Sequence, residues 1–393
     1  MKLKIIDMDH MGSGIAKDNN KVIFIPKSVP DDICEVEIIK DNQKYAKGKI
    51  TSIIEPSSLR KKALCPYYKE CGGCNISNLD YQEQLVFKES KVKNIFKKYL
   101  NLDINPTVIK SNKQYTYRNK ITYHYDKVLG LISEYDGLVN IDSCLLVSDN
   151  INNLFNEIKK NDLSKVKLIT IKECDNGLIL SITGSMLIDN LKDKCLSIYL
   201  NNKCVYYKED GYIYLDNLKY MISNQSFFQV NTSNITNLYN EIIKYGNFVK
   251  TDKVIDLYCG VGSITLYISK YVKEVLGIEI VEDAIKDAKV NANINKINNV
   301  KFICGDVSKL IDDNLKGNIL IVDPPRTGLD KHTIEVINKK KITKVIYVSC
   351  NPMTLVRDLK LLTNYELENI SIVDMFPQTH HVECVCSLSI KII

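Results

Sequence analysis

A cysteine near the end of the chain is the first candidate for chemistry. Cys350 follows the apolar run Val345-Ile-Tyr-Val348 and precedes Asn351-Pro352. The run predicts a buried strand, and the proline restricts the residue before it, so we expect Cys350 in a loop at the carboxyl end of that strand. Open α/β sheets bind their ligands at this edge. Cys350 is therefore a candidate nucleophile, although many free cysteines are only small, buried apolar residues.

A glycine-containing turn marks a second group of candidates. Asp256-Leu-Tyr-Cys-Gly260-Val-Gly262 is typical of a strand end, a tight turn and a helix start. Glu279 ends the next predicted strand, where an acidic side chain can hydrogen-bond a ribose diol. Because no phosphate-cradling lysine accompanies the glycines, the pattern favours S-adenosylmethionine. The alternative is a Rossmann-like turn for another nucleotide.

Two further motifs are expected at the same edge of the sheet. Asp323-Pro-Pro-Arg326 ends another strand, and its prolines would stiffen the loop that holds Asp323 beside the cofactor. Methyltransferases of exocyclic amines carry a similar motif with an aromatic residue in place of Arg326, so the arginine argues against amine chemistry. His380-His381-Val-Glu383 follows a predicted strand and offers a general base. The two histidines could instead position RNA or lie inert on the surface.

One cluster of cysteines has the spacing of metal ligands. Cys65, Cys71 and Cys74 fall in a single loop, and Gly72-Gly73 would let the backbone fold round a metal or an iron–sulfur cluster. Cys144 is the candidate for the fourth ligand. The spacing alone does not decide between zinc and iron–sulfur.

Length and composition limit the class of protein. The 393 residues are enough for two or three domains. Lysine plus arginine exceeds aspartate plus glutamate by 53 to 47, and the resulting charge of +6 indicates a polyanionic partner only weakly. Because the chain shows no secretion leader and no apolar run of about 18 residues, we expect a cytoplasmic protein without a membrane span. The 13 cysteines are then expected to be thiols, metal ligands or catalysts, not disulfides.

Residues 1–55 are expected to form a small β-domain. Runs such as Lys21-Val-Ile-Phe-Ile25 alternate and are separated by turn residues, a pattern that predicts short strands. Five such strands suit an OB-like barrel, a common platform for nucleic acids. The interleaved lysines fit a phosphate-facing surface, and a solvated face explains them equally well. Gly12-Ser-Gly-Ile-Ala16 and the strands after it resemble the TRAM domain, an RNA-binding module of RNA-modifying enzymes.

The remaining chain is expected to form two domains. Residues 56–222 predict a mixed α+β central domain, which contains the cysteine loop and an amphipathic helix from Tyr81 to Leu100. Residues 223–393 alternate strand-like and helical stretches, a rhythm that predicts a parallel sheet covered on both sides. The predicted fold class is therefore α/β, and the catalytic candidates lie at strand ends of the last domain.

Five motifs occur in a characteristic order. They are Ser226-Phe-Phe-Gln-Val-Asn231, Asp256-Leu-Tyr-Cys-Gly-Val-Gly262, Asp323-Pro-Pro-Arg326, Ser349-Cys-Asn-Pro352 and His380-His-Val-Glu383. This order resembles the uracil-C5 RNA methyltransferase family, which makes 5-methyluridine in tRNA and large-subunit rRNA. The resemblance runs from the TRAM-like start to the C-terminus. The sequence is similar to the rRNA branch of this family, because it has both the TRAM-like domain and the cysteine cluster.

The resemblance implies a class I, Rossmann-like methyltransferase domain and a role for each candidate residue. S-adenosylmethionine would be bound by Gln229, Tyr258, Glu279 and Asp323. A [4Fe-4S] cluster would be held by Cys65, Cys71, Cys74 and Cys144. Cys350 would attack C6 of the uracil, and Glu383 would remove the proton from C5. The target uridine would first have to leave any base stack.

The expected function is formation of 5-methyluridine in RNA by a monomer, with 23S rRNA favoured and tRNA as the other candidate. Two alternatives come from other classes of function. A non-catalytic RNA-binding protein on a methyltransferase fold would bind RNA without turnover. An enzyme that methylates cytosine C5 by the same thiolate chemistry would act on cytosine and leave uridine unchanged.

Overall fold

Alternating apolar residues build a sheet from the N-terminal strands. The computed structural model describes residues 1–314, 316–340 and 342–391. The strands pair in the order β1-β5-β6-β4-β3-β2. They are β1 (Lys2–Lys4), β2 (Asp7–Met8), β3 (Gly14–Asp18), β4 (Lys21–Ile25), β5 (Ile33–Asp41) and β6 (Tyr45–Glu55). Asn19 and Asn20, both with positive φ, close the β3–β4 hairpin, because asparagine tolerates this conformation. The predicted strand Lys21–Ile25 is confirmed.

A long helix follows the cysteine loop. The helix α1 spans Tyr81–Leu100, as predicted, and ends at Asn101, whose φ of 53° is left-handed. Val92, Ile95 and Phe96 pack into the core of the C-terminal sheet. The helix therefore fixes the cysteine loop against the C-terminal domain.

The middle of the chain forms a second sheet in the order β10-β9-β8-β11-β12-β13-β14, with a separate hairpin of β15 and β16. Its elements are β7 (Thr107–Ile109), β8 (Lys120–Asp126), β9 (Val128–Ile132), β10 (Leu138–Asn140), α2 (Asp149–Ile158), β11 (Val166–Cys174), β12 (Gly177–Gly184), a 3₁₀ helix (Asp189–Lys194), β13 (Ser197–Leu200), β14 (Lys203–Tyr207), β15 (Gly211–Leu215) and β16 (Leu218–Ile222). The strand β7 leaves this region and pairs with a strand of the C-terminal sheet.

The last part of the chain forms the third sheet, in the order β19-β18-β17-β20-β21-β23-β22-β7. Its elements are α3 (Thr232–Gly246), β17 (Lys253–Leu257), α4 (Ser263–Ser269), β18 (Glu274–Glu279), α5 (Glu282–Ile294), β19 (Val300–Cys304), α6 (Val307–Asn314), β20 (Ile319–Val322), α7 (Lys331–Lys340), β21 (Lys344–Ser349), α8 (Pro352–Leu361), β22 (Tyr365–Val373) and β23 (Glu383–Ile390). The strands β17 to β21 pair in parallel, whereas β23 is antiparallel to both β21 and β22.

Apolar side chains cover both faces of this sheet. Ile346 and Val348 of β21 pack into the core on one face, and Val345 and Tyr347 pack into the core on the other. Because strands buried on both faces need near-continuous apolar runs, the apolar run before Cys350 is explained. The predicted α/β class is confirmed. In the part of the chain that the structure describes, no helix has the length and apolar character needed to cross a membrane.

Candidate active site

Strand register brings Cys350 and Glu383 together. In the antiparallel pair of β21 and β23, Ser349 lies opposite Cys384. Cys350 is the next residue after Ser349, and Glu383 is the residue before Cys384, so the two candidates lie at the same end of adjacent strands. Glu383 is buried, with 2% of its surface exposed, whereas Cys350 remains partly accessible. The pair thus combines an accessible thiol with a carboxyl group shielded from water.

Two charged groups of the Asp323-Pro-Pro-Arg326 loop lie beside this pair. Burial raises the pKa of Cys350 to about 11, and the carboxylates of Glu383 and Asp323 add to the rise, while Arg326 opposes it. Burial and Asp323 hold the pKa of Glu383 well above its usual range, again opposed by Arg326. Burial also raises the pKa of Asp323 to about 7. The site therefore contains two carboxyl groups, those of Asp323 and Glu383, that take up protons readily. The Arg326 cation beside them favours the thiolate form of Cys350.

The start of α8 fixes the loop that carries Arg326. Asn351 accepts a hydrogen bond from Met353 N at 3.1 Å, which caps the helix, and its Nδ2 donates to the Arg326 carbonyl at 3.1 Å. Thr354 Oγ1 donates to the same carbonyl at 3.3 Å. In the sequence, Arg326 served only as an argument against amine chemistry, and this clamp was not predicted. The Asn-Pro pair, a helix-start signal, is the feature that points to it.

The glycine turn forms an open rim at the ends of β17 and β18. Tyr258, Gly260 and Gly262 all have positive φ, and a side chain at Gly260 would point into open space. Glu279 accepts a hydrogen bond from Gly260 N at 3.2 Å and from Val281 N at 2.9 Å. The backbone at Gly260 is therefore approachable by a ligand, and the Glu279 carboxylate is held beside it.

A buried carboxylate beneath this turn lacks a full set of partners. Asp256 accepts a hydrogen bond from Thr265 Oγ1 at 2.5 Å through Oδ2, and burial raises its pKa to about 7. Among the residues that the structure describes, its Oδ1 is one of a few buried side-chain atoms without a hydrogen-bond partner. Because such atoms are costly to leave unpaired, this atom fits a polar ligand group at the turn. Sequence reasoning took Asp256 only as the start of the motif.

The segment containing Gln229 is held between two domains. Lys172 of β11 donates through Nζ to the carbonyls of Ser223, at 3.0 Å, and Ser226, at 2.9 Å. Asn231 Nδ2 donates to the Met375 carbonyl at 3.0 Å. Gln229, which is partly exposed, therefore lies near the segment that leads to Glu383. In sequence it is distant from the glycine turn.

The two histidines differ in their surroundings. His380 is 7% exposed, and its Nδ1 lies 2.8 Å from Asn75 Oδ1. Burial lowers the pKa of His380 to about 3 and that of His381 to about 4, so both rings are neutral at neutral pH. Their rings are in contact, with centroids 4.1 Å apart and planes tilted by 42°. The contact with Asn75 gives His380 a packing role that the sequence did not indicate.

The four cysteines of the predicted cluster line one cavity. Cys65, Cys71, Cys74 and Cys144 surround a space of about 400 Å³, bordered also by Tyr115 and Phe227. Gly73 N donates a hydrogen bond to Cys71 Sγ at 3.4 Å, as amides do to ligating sulfurs. The buried Lys27, from the turn after β4, donates through Nζ to the Cys71 carbonyl at 2.9 Å and to the Cys74 carbonyl. The structure thus brings Cys144 to the same cavity as the three cysteines of the loop.

The described residues show no site for a single metal ion. Within residues 1–314, 316–340 and 342–391, no group of three or more His, Cys, Asp or Glu is arranged to hold a metal ion. The donor set round the cavity consists of four thiols.

Comparisons with known proteins identify the family of the chain. The tRNA (Uracil-5-)-methyltransferase family matches residues 192–391, and the TRAM domain matches residues 1–51. An RNA methyltransferase of Oceanobacillus iheyensis is 32% identical over 440 residues, covering 98% of this chain and 95% of that protein. One of Clostridium acetobutylicum is 32% identical over 439 residues, with coverages of 98% and 95%.

A solved structure extends the similarity to the whole fold. The crystal structure of Pyrococcus abyssi tRNA (uracil-54, C5)-methyltransferase in complex with S-adenosyl-L-homocysteine matches with a TM-score of 0.82 and 27% identity. The match covers 98% of this chain and 99% of that one. The chain therefore belongs to the tRNA (Uracil-5-)-methyltransferase family of RNA methyltransferases, with a TRAM domain at its N-terminus.

Proposed function

We propose that this protein uses S-adenosylmethionine to methylate C5 of uridines in 23S rRNA. The observation that carries the proposal is the placement of Cys350 and Glu383 at one end of adjacent antiparallel strands, beside Asp323 and Arg326. A nucleophile and a base so close together suit a base whose C6 is attacked and whose C5 loses a proton. The cofactor supplies the electrophilic methyl group.

The protein's own residues perform the remaining steps. The Cys350 thiolate adds to C6 of the uracil, and the electron pair that this addition moves onto C5 and O4 makes C5 nucleophilic. After C5 has gained the methyl group, Glu383 removes the C5 proton, and the electrons of that C–H bond reform the ring double bond and expel Cys350. The raised pKa makes the Glu383 carboxylate a stronger base once the group is deprotonated, a state that Arg326 favours.

The cofactor site is proposed at the glycine turn. Glu279 would hydrogen-bond the ribose, Tyr258 would contact the adenosine, and Asp323 would lie near the methyl-bearing end, with Gln229 closing the site. The unpaired Asp256 Oδ1 and the open space at Gly260 support this placement. The similar Pyrococcus abyssi structure contains S-adenosyl-L-homocysteine, the demethylated form of the same cofactor.

The solved structure favours tRNA as a second candidate for the substrate. The Pyrococcus abyssi protein is, by its description, a tRNA methyltransferase. The 23S rRNA assignment rests on the combined TRAM domain and cysteine cluster. We also propose that the enzyme acts as a monomer in the cytoplasm. The proposed domains are 1–55, 56–222 and 223–393, and residues 315, 341, 392 and 393 of the last one lie outside the described part.

Methylation assays with defined RNAs test the function and its substrate. Purified protein with methyl-labelled S-adenosylmethionine should form 5-methyluridine in 23S rRNA transcripts and leave tRNA transcripts unlabelled. Mapping of both RNAs from cells that lack the protein should show the same uridines unmodified. Label in tRNA alone would support the second candidate, and label in cytosine, or in neither RNA, would contradict uridine methylation.

The cysteine cavity is proposed to hold a [4Fe-4S] cluster with a structural role. Anaerobically purified protein should contain about four irons and four sulfides and show an absorbance shoulder that dithionite bleaches. Cys65→Ala should lose iron, whereas Cys204→Ala, on the exposed strand β14, should retain it. Stoichiometric zinc without sulfide would contradict the cluster.

A further inference from the structure

The turn before Glu383 contains a strained residue. Residues 374–382 connect β22 to β23, and within them Gln378 has a φ of 70°. This left-handed conformation is unfavourable for a residue with a Cβ and persists only where neighbours enforce it. Gln378 is 2% exposed. Surrounding groups must therefore hold it in place.

A reciprocal pair of amides holds this residue. Gln84, on α1, accepts a hydrogen bond from Gln378 N at 2.9 Å through Oε1 and donates to Gln378 Oε1 at 3.1 Å through Nε2. Gln84 is 1% exposed, and its Nε2 also donates to the Leu79 carbonyl at 3.1 Å. Buried hydrogen bonds of this kind are costly to lose, because the remaining partners stay unpaired away from water. The pair therefore fixes both the side chain and the backbone of Gln378.

The cysteine loop secures the other side of the same peptide. Asn75 N and Ile76 N both donate to the Gln378 carbonyl, at 3.1 and 3.2 Å. These residues directly follow Cys74, so the cysteine cavity and the turn before Glu383 share one set of hydrogen bonds. The turn is thus held from both sides by the region between Cys74 and α1.

Further contacts from α1 extend this hold along the turn. Lys88 forms a fully buried ion pair with Asp374 at 2.6 Å and donates to the Phe376 carbonyl at 2.9 Å. Lys91 donates to the His380 carbonyl at 2.8 Å. All these contacts join residues that are nearly three hundred positions apart. The face of α1 toward the turn is therefore polar and matched to the backbone of the turn.

We infer that Gln84 is a positioning residue for Glu383: by holding Gln378 left-handed, it sets where β23 begins and hence where the catalytic carboxylate lies. The inference rests on the proposed role of Glu383 as the base. Strand register places Glu383 beside Cys350, but Glu383 is the first residue of β23 and follows the turn directly, so a change in the turn shifts the strand end that carries its carboxylate. A displacement of about 1 Å can cost up to 10²-fold in rate.

The variant Gln84→Met tests this role, because methionine keeps the length of the side chain and removes both amide bonds. We expect turnover to fall roughly 10- to 100-fold and a covalent protein–RNA adduct with the methyl group already transferred to accumulate. The affinity for S-adenosylmethionine should not change. Slow turnover without an adduct, or a parallel loss of cofactor affinity, would overturn the inference.

Two further variants separate positioning from general stability. Asn299 Nδ2 also holds backbone carbonyls, those of Ser269 and Val272, at the opposite edge of the sheet. Asn299→Leu should therefore leave no adduct. Gln378→Gly in the Gln84→Met background should restore part of the turnover, because glycine adopts positive φ without strain. Absence of this rescue would count against the conformation of residue 378 as the cause.

The proposed function and this inference fail in different ways. If Glu383→Gln forms no adduct, the role of Glu383 is wrong. If Glu383→Gln forms the adduct and Gln84→Met does not, only the inference is wrong. Should Gln84→Met prove insoluble, Gln378→Met removes one of the two amide bonds and should give the same adduct in a smaller amount, and its absence would contradict the inference.

Discussion

Replacing Cys350 with alanine is expected to abolish methylation of RNA while leaving the affinity for S-adenosylmethionine unchanged. Without the thiol, nothing adds to C6 of the uracil, and C5 stays a poor nucleophile. The proposed cofactor contacts come from the ends of β17, β18 and β20 and from Gln229, not from β21, so cofactor binding does not need the sulfur. Label transfer to RNA and calorimetric titration of the cofactor measure the two quantities.

The exposed Cys204 provides the matched control for this substitution. Cys204→Ala should retain full activity, because β14 lies in the middle sheet. Substantial methylation by Cys350→Ala would disprove the thiolate mechanism. It would return attention to amine chemistry at the Asp323-Pro-Pro motif, which the sequence alone argued against.

The substitution Glu383→Gln should trap the reaction after methyl transfer. Glutamine keeps the size and hydrogen-bonding capacity of the side chain but cannot accept the C5 proton. Loss of a general base typically costs 10²–10⁴-fold, so the enzyme should accumulate as a covalent adduct with RNA. The adduct should appear as a band that resists denaturing electrophoresis and carries label from the methyl group.

Two variants control this experiment. The adduct should vanish in the Cys350→Ala/Glu383→Gln double variant, because no sulfur is left to form the bond. Glu241→Gln, which replaces another buried glutamate of the C-terminal domain, should give no adduct. A Glu383→Gln enzyme that turns over normally, or is inactive without an adduct, would remove Glu383 from the mechanism. The neutral His381 would then be the next base to test.

The sequence by itself determined the class of fold and several of its elements. Continuous apolar runs marked the parallel strands, and Glu279, which was predicted to end a strand, is the last residue of β18. The helix Tyr81–Leu100 also has its predicted bounds. These signals are local, because periodicity and turn residues act within a few positions of the chain. The sequence also singled out Cys350 and Glu383 through their motifs.

The tertiary structure alone decided how distant segments meet. The register of β21 against β23 sets Cys350 beside Glu383, and the cavity lined by four cysteines requires Cys144 to lie next to a loop far from it in the chain. The pairing of Gln84 with Gln378, and the addition of β7 to the C-terminal sheet, have no local signal. The physical reason is that hydrogen bonds between buried polar groups depend on how whole elements pack, and no periodicity in one segment records its partner in another.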